Sequence, residues 1–219
     1  MFTDKYGLLT VNNTGQSEEN SFLWTVELYV IQRKLGLDCE QTYKTIQNAL
    51  ELMDLGNGLY KQAPHLDPDP NNHDTYMSHD QLTAIMVFFK LTGQKKRMKE
   101  IMSAIKYGCS YNNVDKKFRP LHPRDLLIYK YLSGTIFGYL FLWLSYLILF
   151  VTFFTEKKGD VLKTDLEIIY YITREATSVF KPMDWYCERR VKERFGNWDN
   201  LFAYYFKSRR HPINKIVGK

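Results

Sequence analysis

Paired cysteines are missing from this chain. Cys39, Cys109 and Cys187 stand far apart, so they make neither a disulfide framework nor a CxxC metal clip, and they fit a reducing compartment. Several fingerprints are missing too: no GxGxxG, GxxxxGK[ST] or GxSxG occurs. Nucleotide-dependent chemistry, common serine hydrolysis and zinc ribbons are therefore disfavoured. No HExxH spacing sets two histidines on one helix face. The first residues, MFTDKYGLLTVNNTG, lack a basic stretch followed by an apolar one, so no cleavable signal peptide is expected and the protein is read as cytoplasmic or membrane-associated. Strand signals are sparse. Mean hydropathy of -0.37 excludes a multi-span membrane protein.

Against that polar background, one segment lacks charge altogether. Tyr131 to Phe154, YLSGTIFGYLFLWLSYLILFVTFF, has no charged side chain in 24 positions. About 20 apolar residues of helix cross a bilayer's hydrocarbon core. A helix apolar on all sides equally suits the centre of a soluble bundle. Basic residues flank both ends: Arg124 and Lys130 on one side, Lys157, Lys158 and Lys163 on the other. The segment is thus expected to be one very apolar helix, buried in the core or inserted in a membrane.

The chain carries a net charge of +6, spread over short clusters such as Lys95, Lys96, Arg97 and Lys99. These suit solvated helix faces, or contact with an anionic polymer, glycan or lipid. No specific nucleic-acid motif accompanies them.

Residues 1–19 read as a polar lead-in or short hairpin, and 20–219 as a single helical domain. A first helix starts near Asn20 and stops at Gly36. A second follows the N-cap candidate Asp38 and ends near Gly56. A long loop rich in Gly, Pro, Asn and Asp then leads to a third helix, opening at Ser78–Asp80 and closing at Gly93. A fourth runs from about Lys95 to Tyr107. Pro123 fits the first turn of the next, which reaches Gly134 and is continued by the apolar segment. The predicted fold is all-α: about eight helices in a paired-hairpin, α/α toroid-like or bundle arrangement. Three segments, EENSFLWTVELYVIQRKLG, SHDQLTAIMVFFKLTG and HPRDLLIYKYLSG, each open on polar residues and end in glycine. If they are inner helices of stacked pairs, their starts gather Asn20, His79 with Asp80, and Arg124 with Asp125 around one mouth.

The candidate chemistry lies at those starts. His79 can move a proton near neutral pH, and Asp80 can orient it or act as a carboxyl acid. His122, Arg124 and Asp125 repeat the theme, with Arg124 able to clamp a carboxylate or phosphate. Glu27 is the only charge between Ser21 and Ile31; buried, it would suit a general acid. The same groups also suit helix caps, surface ion pairs and a polar stripe. Trp24, Tyr60 and Tyr76 offer stacking surface. Asp67-x-Asp69-x-Asn71 begins like a calcium loop and then fails, with Asn72 and Ser78 where Gly and Glu belong. No metal and no cofactor is assigned.

The paired-helix rhythm, the aromatic inner helices and the His/Asp/Arg helix starts resemble α/α-toroid enzymes that act on glycans, over residues 20–134. That resemblance implies acid–base cleavage of a sugar polymer by hydrolysis or lyase chemistry. Glu27, His79, Asp80 and Asp125 would be catalytic, and Trp24, Tyr60, Tyr76, His122 and Arg124 would bind substrate. The rival class is a non-enzymatic helical protein, membrane-associated or part of a viral or other particle assembly. Lys-, Asn-, Ile- and Tyr-rich composition suits the AT-rich genomes that many viruses have.

Overall fold

Helix α3 (His79–Thr92) has no free side. From Gln81 to Phe89, nine consecutive residues are no more than 1% exposed. Around it stand α1 (Ser21–Leu35), α4 (Lys95–Ala104) and α5 (Pro123–Leu132), while α2 (Glu40–Met53) packs on α1. The computed structural model describes residues 2–10, 21–56, 58–69, 76–105, 111–112, 117–118, 123–138, 140, 141, 143, 144 and 147. Among them the chain is helix-rich, with three antiparallel pairs of very short strands. These are β1 (Phe2–Thr3) with β2 (Leu9–Thr10), β3 (Asp54–Gly56) with β4 (Leu59–Tyr60), and β5 (Tyr111–Asn112) with β6 (Lys117–Phe118).

Residue pattern explains the outer helices. In α2, Thr42, Thr45, Ile46, Ala49, Leu50 and Met53 are buried, the spacing that makes one apolar stripe. Lys44 and Glu40 pair on its exposed side at 3.2 Å, a contact that contributes little. In α4 the buried positions are Met98 and Ile101. A stripe of this kind buries a few side chains at about 1.5–3 kcal/mol each. α3, apolar all round, makes no such division.

Chain polarity follows from the contacts. The three residues after Gly36 turn α1 back into α2, and Tyr29 meets Tyr43 with ring centres 6.2 Å apart. Tyr43, near the start of α2, also meets Phe88, near the end of α3, at 5.6 Å. At the other end of α2, the Lys61 N–H donates to the Met53 carbonyl (2.9 Å) and the Met77 N–H to the Tyr60 carbonyl (3.1 Å). That ties the end of α2 to the start of α3. So α2 is antiparallel to both neighbours, and α1 runs parallel to α3. α5 is parallel as well: Thr83 Oγ1 bonds the Tyr129 hydroxyl at 3.3 Å, while Lys90 Nζ reaches the Tyr131 and Leu132 carbonyls at 3.5 and 3.4 Å.

The three parallel helices end alike. Gly36, Gly93 and Gly134 have φ of 67°, 72° and 78°, a left-handed backbone that costs glycine little. In α1 and α3 the same closing bond follows, Leu37 N–H to Gln32 carbonyl and Gln94 N–H to Phe89 carbonyl, both 2.9 Å. A cation three residues before one glycine then bonds a carbonyl two residues before the next. Arg33 Nη1 donates to Leu91 O (3.2 Å), and Lys90 Nζ donates to Leu132 O (3.4 Å). Each cation thus meets the negative end of the neighbouring helix.

Details of the sequence reading shift. α2 starts at Glu40, whose N–H is met by Asp38 Oδ1 at 3.0 Å; it stops at Met53, because Asp54–Gly56 turns into a strand. α4 stops at Ala104. The first residues form a hairpin: Asp4 Oδ1 accepts the Tyr6 and Leu8 N–H groups at 2.8 Å each, and Leu9 N–H bonds Thr25 Oγ1 on α1. The uncharged segment does not continue α5. Gly134 turns the chain, and helical backbone resumes at 138, where Gly138 comes against the Tyr131 backbone. Tyr131 and Leu132, still in α5, are buried, but beyond the turn the side chains leave the core: Ile136 is 96% exposed and Phe137 65%. Among the described residues no helix is long and apolar enough to cross a membrane. Residues 139, 142, 145, 146 and 148–154 lie outside the described residues.

The β3–β4 turn separates two glycines. Both Gly56 and Gly58 have positive φ, but a Cβ on Gly58 would land on the Glu100 backbone, while one on Gly56 meets nothing. Gly56→Ala should therefore cost about 1 kcal/mol of conformational strain, and Gly58→Ala about 3 kcal/mol, strain plus a clash with α4. Chemical denaturation of the two variants tests the difference; equal losses would mean that the turn is not wedged against α4.

Candidate functional site

Parallel inner helices put their starts at one end of the bundle. Ser21 lies fifteen residues before Gly36, His79 fourteen before Gly93 and Pro123 eleven before Gly134. With the three C-terminal ends in register, α1 and α3 begin level, and α5 begins about one turn deeper. Each start contributes N–H groups without an intrahelical partner, so this end carries the positive ends of three helix dipoles.

The chain enters α3 through a closed loop. Lys61 and Tyr76 pair as an isolated antiparallel bridge, so the residues between them leave and return at one point. Inside that neck, Gln62 Oε1 accepts the Ser78 N–H at 2.9 Å. The Gln62 carbonyl in turn accepts Gln81 Nε2 at 2.9 Å. Gln81 is fully buried and Gln62 nearly so. Amides with both a donor and an acceptor end can join two backbone segments in a dry place. These bonds fix where the first turn of α3 begins, and hence where His79 and Asp80 are carried.

The sequence-derived candidates separate into groups. His79 and Asp80 are in the first turn of α3, and Arg124 and Asp125 in the first turn of α5. Glu27 is in the second turn of α1 and only 4% exposed. Trp24, one turn nearer the start of α1, is half-buried, as is Tyr76 at the neck of the loop. The parallel packing thus brings the starts of α1, α3 and α5 to one end. His122 lies outside the described residues, as does the part of the calcium-like loop from Pro70 to Thr75. Among the described residues no group of three or more His, Cys, Asp or Glu side chains is placed to hold a metal ion.

Tyr60 belongs to the core rather than to the mouth. It is 2% exposed, with its ring 6.3 Å from that of Phe89. Burial pushes its phenol up to about 12; Asp54 and Glu100 add to the rise, and Arg97 opposes it. Its ring is occupied by packing and offers little surface for stacking on a sugar.

Four residues matter here that sequence reasoning passed over: Gln62, Gln81, Arg33 and Lys90. The two glutamines have no distinguishing local pattern. Arg33 and Lys90 do, since each stands three residues before a helix-ending glycine. No protein-family model, curated protein or solved structure matches the chain.

Tyr60 gives this region a pH signature. Between pH 10 and about 12 the unfolded chain loses the phenolic proton while the folded chain keeps it, so stability falls as pH rises through that window. Lys90 acts oppositely. Burial lowers its ammonium below 10.5, so stability rises as pH climbs through the interval just under 10.5. Tyr60→Phe keeps the ring and removes the first effect. The variant should lose less stability than the parent above pH 10, by up to about 2 kcal/mol. Urea unfolding at several alkaline pH values measures this; identical slopes would refute the buried phenol.

Proposed function

We propose that the chain is a glycan-processing enzyme of the α/α kind, working by general acid–base hydrolysis or elimination at the end where its inner helices begin. The observation that carries this reading is the common register of α1, α3 and α5, with α1 and α3 each followed by an outer helix, α2 and α4. In this reading the paired hairpins extend to about eight helices, and the mouth holds the reacting sugar.

The roles follow from residue chemistry. Asp80 and Asp125, on the first turns of α3 and α5, supply the carboxyl groups. His79 takes or delivers a proton near neutral pH. Arg124 and the three helix starts favour an anionic sugar, such as one carrying a carboxylate. Trp24 and Tyr76, half-buried at the same end, present rings to sugar faces. Glu27, further in on α1, acts as a second acid. Tyr60 drops out of the binding set and becomes a core support for the loop that leads to α3.

A panel of neutral and anionic polysaccharides tests the proposal, read by new reducing ends and by the ultraviolet absorbance of an unsaturated sugar product. Cleavage of one class is expected. Asp80→Asn and His79→Ala should each lower kcat by about 100-fold or more with an unchanged unfolding midpoint. A folded protein inert on the whole panel, or variants as active as the parent, would end the enzymatic reading.

A further inference from the structure

The outer faces of the helical pairs differ in a way that the glycan reading does not use. α2 exposes Gln41, Lys44, Asn48 and Glu51 with a single large apolar side chain, Leu52, and α4 exposes Lys95, Lys96 and Lys99. After α5 the chain turns at Gly134, the described positions 138, 140, 141, 143, 144 and 147 are helical, and here the exposed large side chains are apolar: Ile136 96%, Phe137 65%, Leu140 55%, Trp143 55%, Leu144 40% and Leu147 59%. Phe137, Leu140, Leu144 and Leu147 recur at alternating intervals of three and four, which sets them on one stripe. An exposed apolar stripe of this kind marks an interaction site.

Two observations indicate what covers it. A protein partner would require a polar rim, and helix seams in water are edged by charged residues. From Tyr131 to Phe154 no position is charged, so the segment supplies no charged edge of its own. Lys130 lies at its border instead, exposed, with its ammonium 5.1 Å from the Phe141 ring centre. Lys95 and Lys96 are exposed at the start of α4. They sit at the same end of the bundle as the 133–137 turn, because Lys90, just before the α3–α4 turn, bonds the Tyr131 and Leu132 carbonyls. Apolar side chains that enter acyl chains, with lysines at headgroup level, are the chemistry of an interfacial anchor on anionic lipid. Trp143 on the stripe suits the same boundary.

From this geometry we infer that the surface formed by Ile136, Phe137, Leu140, Trp143, Leu144 and Leu147, with Lys130 at its border and Lys95 and Lys96 at the same end of the bundle, docks the protein onto an anionic lipid bilayer without crossing it at these residues. This docking is independent of the glycan chemistry.

Co-sedimentation of the full chain with phosphatidylcholine vesicles, with and without phosphatidylglycerol, tests it. Binding is expected to the anionic vesicles, weakening with salt. Leu140→Glu with Leu144→Glu should weaken it at least about tenfold, as should Lys95→Glu with Lys96→Glu. In parallel, Trp143 emission should move to shorter wavelength on binding, a change absent in Trp143→Phe. This measurement on the parent protein stands even if a charge variant folds poorly. No binding, equal binding to neutral vesicles, or binding unaffected by these substitutions would overturn the inference. So would a lipid-free dimer that the leucine variants dissociate, or a lipid-free monomer in which Trp143 is already shielded from iodide. The first outcome would assign the face to a second copy, the other to another segment of this chain.

Discussion

A helix with no exposed face must have both of its ends answered by neighbours, and α3 is such a helix. An unsatisfied buried peptide group costs about 1–3 kcal/mol, so the ends matter as much as the apolar middle. At the start, Ser78 N–H bonds Gln62 and the Ser78 carbonyl accepts from Leu82 N–H. At the finish, Gly93 lets the chain fold back, Gln94 N–H returns to the Phe89 carbonyl, and Arg33 from α1 takes the Leu91 carbonyl. The middle then needs only volume, supplied by Phe88 and Phe89 against Tyr29, Tyr43 and Tyr60.

That arrangement is repeated one helix further on. Lys90 does for α5 what Arg33 does for α3, at the same offset from the closing glycine. A local rule applied twice sets three helices parallel and level. Parallel neighbours have unfavourable dipole alignment, so their carbonyl ends benefit from a cation. Lys90 meets this need despite its partial burial, and the lowered affinity of its ammonium for a proton reflects that position. An ordinary up-and-down bundle would not need the device, since antiparallel neighbours compensate one another. Here the antiparallel members, α2 and α4, are the outer ones, with charged faces toward water.

Much of this was legible in the residues. The helix-ending glycines at 36, 93 and 134, the start of α3 at Ser78–Asp80 and Pro123 in the first turn of α5 are local signals with local causes, and they hold. What failed depended on contacts distant in sequence. Nothing near Tyr60 says that Phe89 will occupy its ring, so it read as a stacking residue. Asp54–Gly56 read as the end of a helix because its partner strand follows only after Asn57–Gly58. The uncharged segment read as one helix because hydropathy carries no record of Gly134 adopting positive φ. The pair of buried glutamines was invisible for a similar reason: only the closed loop, pinned at Lys61 and Tyr76, brings Gln62 to α3. The shared end of the helix starts was easier to read, because it follows from a repeated pattern rather than from a single contact.

The two ends of the parallel set differ in chemistry. Helix starts carry partial positive charge, with His79, Asp80, Arg124 and Asp125 in the first turns; helix finishes carry the lysines and lead into the exposed apolar face. A bilayer docked at the finishing end would leave the starting end turned toward water, where a soluble polymer could reach it. The reverse placement would bring Asp80 and Asp125 against anionic headgroups while hydrating Ile136, Phe137 and Leu140, which is unfavourable on both counts. If both proposals hold, the anchor and the glycan site are compatible only in one orientation, the one that the polarity of the glycine-terminated helices permits.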